Sequence, residues 1–162
     1  METVFSSGVG LALTVVVAGL ITFLGVWLFE RSTRDIDEWA QLRDGNLAVG
    51  IVMGAIVVAV GIIVRPALQD PLIAADLGRS RPFYELLINA VGLLIALALA
   101  VVAIGFAVWL FTRLTTDLDE WAELADGNRA VAALMAGVVL AVALLTATAV
   151  DRIVADLTNA LF

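Results

Sequence analysis

Four apolar stretches, about Val4 to Phe29, Leu47 to Val64, Leu86 to Phe111 and Ala130 to Val150, alternate with short polar segments along the chain. None carries Asp, Glu, Lys or Arg in its interior. A helix needs about 20 apolar residues to cross a hydrocarbon core of about 30 Å, and each stretch meets that, Leu47–Val64 at the short end. Lipid offers backbone N–H and C=O groups no partners, so segments that cross must be helical. The pattern therefore predicts an all-α, polytopic membrane protein with four transmembrane helices.

The polar segments add a repeat. Trp27-Leu28-Phe29, Asp35, Asp37-Glu38-Trp39-Ala40, Leu42, Asp44-Gly45-Asn46 and Ala48-Val49 return 82 positions later as Trp109-Leu110-Phe111, Asp117, Asp119-Glu120-Trp121-Ala122, Leu124, Asp126-Gly127-Asn128 and Ala130-Val131. From Trp27 to Ile56, 17 of 30 aligned positions are identical, too many for chance similarity between membrane helices. The chain reads as two tandem helical hairpins, 1–82 and 83–162. Two helices per unit return the chain to the same face, so the hairpins share an orientation and are expected to be related by a pseudo-two-fold axis along the membrane normal. The termini and a central loop, Arg65–Glu85, then share one side, and the repeated loops Glu30–Asn46 and Thr112–Arg129 share the other. Four arginines on the first side against five on the second leave the orientation open.

Each repeated loop predicts a short interfacial amphipathic helix. Asp35-Ile36-Asp37-Glu38 reads as a capping box, repeated at Asp117-Leu118-Asp119-Glu120. Ile36, Trp39 and Ala40, like Leu118, Trp121 and Ala122, fall on one helical face, with the Trp ring suited to the headgroup region. Gly45 and Gly127 stand where a left-handed residue ends a helix. Asn46 and Asn128 follow as N-caps of the next one.

The same acids admit a second reading. Asp35, Asp37, Glu38, Asp117, Asp119 and Glu120 put six carboxylates on one membrane face. Brought together, they would concentrate cations at a pore mouth or offer hard oxygen ligands to Mg²⁺ or Ca²⁺, although the spacing is not that of an EF-hand loop. Inside the apolar stretches the polar groups are few: Thr14, Thr22, Asn89, Thr146 and Thr148. No ionisable side chain lies at mid-membrane depth, which argues against proton coupling. Gly50 and Gly54 form a small-xxx-small pattern, matched by Ala132/Ala136 and the overlapping Ala133 and Gly137. Such faces let helices approach closely, within one chain or between copies, so a homo-oligomer is expected.

Composition narrows the chemistry further. There is no Cys and no His, which removes disulfides, thiolate and imidazole metal sites, and histidine relays. With no nucleophile–base set, an enzyme is not expected, and no cofactor or confident metal site is predicted. All nine positive charges are Arg, against sixteen acids, and the net charge of −7 argues against nucleic acid and anionic lipid headgroups as partners. A lysine-free, acidic, Ala/Val-rich chain fits a halophilic archaeon or another high-GC prokaryote. Met1-Glu2-Thr3 lacks a basic n-region, so the first stretch reads as a retained helix in the cell membrane and not a removable signal peptide.

With Trp-Leu-Phe, Asp-Glu-Trp-Ala and the stretch ending in Gly-Asn-x-Ala at Gly45-Asn46 and Gly127-Asn128, the chain resembles the DUF350 family over its whole length, as two units. The resemblance implies a two-helix membrane unit used singly or in tandem. It implies no activity beyond an association of some members with membrane stress, and hence membrane maintenance. Two functions remain: a non-enzymatic, homo-oligomeric membrane assembly or scaffold, in the lipid bilayer and with a protein partner on the acidic side, or a small cation channel or passive transporter with acidic loops at its mouth.

Overall fold

The computed structural model describes residues 2–32, 37–69, 82–115 and 118–161, with side chains over 15–31, 37–68, 90–115 and 118–156. Among the described residues every regular element is an α-helix: α1 (Glu2–Ser32), α2 (Glu38–Arg43), α3 (Leu47–Gln69), α4 (Pro82–Leu114), α5 (Glu120–Ala125) and α6 (Arg129–Leu161). Long helices thus alternate with one-and-a-half-turn helices at the repeated loops, in the order the sequence predicts.

Three helices are long and apolar enough to cross a membrane, over Leu47–Leu68, Ala90–Leu114 and Arg129–Asp156. The span expected over Val4–Phe29 falls within α1, whose first side chains lie outside the described residues. Two boundaries differ from the sequence reading. The central loop was expected to begin at Arg65, but α3 runs on to Gln69 with Pro66 inside it. Proline removes the N–H that would bond the carbonyl of Ile62. The last turn survives because its apolar side packs, with Val64 and Ala67 both buried. At the other end of that loop Pro82 opens α4, where its missing N–H is an orphan in any helix. Past the last apolar stretch α6 continues to Leu161, with Val154 resting on the core beyond the exposed Asp151 and Arg152.

Packing is centred on α3. It lies against α1, α4 and, most extensively, α6, while α6 lies against α3 and α4. Accordingly 56 % of the spanning window of α3 is buried, against 33 % for α4 and α6. Phe29 and Phe111, at equivalent places in the two units, are both buried in the core with Leu124 and Met135. The packing between units is not reciprocal, however. α4 lies on α3, yet α1 makes at most marginal contact with α6 among the described residues.

The approach of α1 to α3 depends on a glycine. A Cβ at Gly25 would sit 2.8 Å from the Cα of Val57, a backbone atom that has no rotamer by which to move aside. Gly25→Ala should therefore weaken the hairpin by roughly 1–3 kcal/mol. Gly105→Ala in α4, where a Cβ meets nothing within 4 Å, should be neutral or stabilising. Unfolding in mixed detergent micelles, followed by helical circular dichroism, checks the contrast.

Candidate functional site: the repeated loops

The two loops are built alike. In the first, the carboxylate of Asp37 accepts a hydrogen bond from the N–H of Ala40 at 3.0 Å and caps α2. In the second, Asp119 accepts from Ala122 at 3.1 Å and caps α5. The capping residue is thus two positions later than the expected Asp35 and Asp117, which lie outside the described residues. The helices start at Glu38 and Glu120, so only the acid immediately before each can reach the N–H groups of its first turn.

Both helices end in the same six-to-one turn. Asn46 N–H bonds the carbonyl of Gln41 at 2.8 Å and Gly45 N–H that of Leu42 at 3.1 Å; Asn128 and Gly127 repeat these bonds to Glu123 and Leu124. The turn demands a left-handed residue, and Gly45 (φ +79°) and Gly127 (φ +82°) supply it, as the sequence predicts. Asn46 Oδ1 then accepts from Ala48 and Val49, and Asn128 Oδ1 from Ala130 and Val131, so both asparagines are N-caps.

Their amide nitrogens differ. Asn128 Nδ2 donates within its own loop, to Glu123 Oε2 at 2.6 Å. Asn46 Nδ2 is shared among Gln41 Oε1 at 2.7 Å and the carbonyls of Leu124 at 2.8 Å and Ala125 at 3.0 Å. The Leu124 carbonyl also accepts from Gly127 N–H, so Asn46 is its second donor, while at Ala125 it reaches a carbonyl at the end of α5 that has no partner within the helix. One side chain therefore starts α3 and finishes α5, joining the two units. The 78- and 79-residue separations of these bonds carry no local sequence signal, and spacing alone did not reveal them.

The remaining candidates divide. Glu38 and Glu120 are buried, and Thr115 Oγ1 lies in hydrogen-bond contact with the Glu120 carboxylate. Trp39 is exposed and donates from Nε1 to Glu30 Oε1 at 3.0 Å, whereas Trp121 is half-buried against the core. The rings are thus not equivalent, although the sequence makes them so. Among the described residues no three His, Cys, Asp or Glu side chains come together as a metal ion would require. Of the small residues, Gly50 faces Leu42 of α2, while Gly54, Ala133 and Gly137 are exposed. Glu30, Gln41, Glu123 and Thr115, which hold these loops, carry no role in the sequence reading; of the four, the repeat marks only Thr115, matched by Thr33.

The family described as Domain of Unknown Function (DUF350) matches residues 3–150. The chain belongs to the DUF350 family. Neither the curated proteins nor the solved structures contain a match. In this DUF350 protein the Gly-Asn-x-Ala segment stands at the start of both α3 and α6, and the geometry above gives it its physical role.

Asn46→Ala and Asn128→Ala should therefore differ. Each loses an N-cap worth about 1 kcal/mol. Asn46→Ala also removes the side-chain donor to the Ala125 carbonyl and the second donor to that of Leu124, adding about 1–2 kcal/mol. Equilibrium unfolding of the two variants side by side measures the difference, and equal losses would remove the link between units.

Proposed function

We propose that this DUF350 protein is a non-enzymatic, homo-oligomeric membrane assembly component, a scaffold in the cell membrane. Its four helices cross the bilayer as two tandem hairpins of the same orientation, related by an approximate pseudo-two-fold axis, each with an interfacial helix. The observation that carries this reading is the use made of the repeated acids. Asp37 and Asp119 hold helix N-termini, and Glu38 and Glu120 are buried in the loop packing, so their first task is to shape the two loops.

The threonines point the same way. Thr22, Thr146 and Thr148 each donate their hydroxyl to a carbonyl one turn back on their own helix, at 2.7–2.9 Å, and so satisfy themselves without lining a polar path. A role in membrane maintenance fits a bundle that exposes large apolar side chains along its long helices and carries two hydrogen-bonded, capped loops. The exposed acids Asp44 and Asp126 on those loops would meet a protein partner.

Cation flux through proteoliposomes tests the reading. No flux above empty liposomes is expected from protein shown to be folded. Asp37→Asn with Asp119→Asn keeps both caps while removing two charges. Flux in the wild type that falls severalfold in the double variant would establish a channel in place of a scaffold.

A further inference from the structure

The repeat allows each residue of one unit to be compared with its counterpart 82 positions away, and the second helices differ in a regular way. On α3, Val52, Ala55, Ala59 and Ile63 form a stripe that is buried. Their counterparts on α6 are Leu134, Gly137, Ala141 and Leu145, and all four are exposed, the two leucines by 59 % and 73 %. The chemistry is nearly the same; only the cover is missing.

What covers the stripe on α3 is known by elimination. α1 meets α3 at Val57 and Gly61, through Gly25 and Ile21. At 3.6 residues per turn those positions lie on the opposite side of α3 from Ala55 and Ala59. The other long helices packed on α3 are α4 and α6, both from the second unit. The first unit's stripe is therefore covered by the second unit, and the second unit's stripe is covered by nothing among the described residues.

The first helices carry the complementary difference. Ala100 and Ile104 of α4 are buried, at 0 % and 1 % exposure, while their counterparts Ala18 and Thr22 on α1 are exposed. The loops repeat the asymmetry: Asn46 reaches across to the end of α5, and Asn128 stays within its own unit. Each half of the contact between units is thus present once in covered form and once in open form.

We propose that the open face of α6 is the docking surface for the first unit of a second copy of this chain, with α1 of that copy lying on α6 as α4 lies on α3. The contact continues an interface already formed inside the chain. It uses different faces on the two copies, so it is fully satisfied only when the assembly closes on itself. The small residues at Gly137 and Ala141 permit the close backbone approach that membrane helices need. The inference rests on the homo-oligomeric reading given above.

The chain has no cysteine, so introduced ones report cleanly. Thr22 lies in level between the Ile21–Gly61 and Gly25–Val57 contacts. By the repeat, Ala141 lies at the same depth on α6, between the counterparts of Gly61 and Val57. Chains carrying Thr22→Cys and chains carrying Ala141→Cys, coexpressed and oxidised in membranes, should give a disulfide-linked dimer that neither gives alone. A dimer from Ala141→Cys alone would overturn the proposal in favour of α6 packed on α6. No dimer from the mixture, with photobleaching steps still showing several wild-type copies together in bilayers, would overturn this interface but leave the oligomer standing. Single-step bleaching of the wild type would overturn both.

Discussion

Asn46 is where the two halves of this DUF350 protein are made into one. Its oxygen accepts from the first turn of α3, and its nitrogen donates to the last carbonyls of α5. Helix ends are the places where a membrane protein is short of hydrogen bonds, because four N–H and four C=O groups have no partner within each helix. A side chain that answers both needs at once, from helices in different units, fixes the N-terminus of α3 against the α5–α6 corner. α3 packs more extensively on α6 than on any other helix.

The rest of the loop serves that placement. Asp37 and the turn through Gly45 determine where α2 begins and ends, and so where Asn46 emerges. Leu42 of α2 lies over Gly50, holding the short helix down on α3. Buried Glu38 and Glu120 then act as part of the loop's framework and not as free surface charge. A loop so committed has little freedom to rearrange around an ion. For this reason the acids read better as architecture than as a cation funnel.

Much of this was legible in the residues. Apolar length marked the long helices, and Asp-Gly-Asn marked both the end of one helix and the start of the next, because only a few side chains tolerate the required backbone or reach the orphan N–H groups. Two features were not legible. The capping acid was misplaced by two positions, since Asp35 and Asp37 are equally good caps and only the start of α2 decides between them. The second is the inequivalence of matched residues: Trp39 and Trp121, or Asn46 and Asn128, are identical letters in identical contexts. Their environments differ because tertiary packing, which the local pattern does not encode, places α4 on α3 without placing α1 on α6.

That inequivalence is what the proposed duplication of a hairpin within one chain would produce. A single unit that binds its like through two different faces has one of each face free. Joining two such units would cover one pair and leave one pair open, at the first helix of the first unit and the last helix of the second. Near-identical side chains then stand in two environments, as Val52 and Ile63 do against Leu134 and Leu145. Lipid tolerates apolar exposure, so burial of these leucines is not what drives them together. Association would instead come from close backbone packing at Gly137 and Ala141. The duplicated chain would thus carry the geometry of its own assembly in the contact it already makes between its halves.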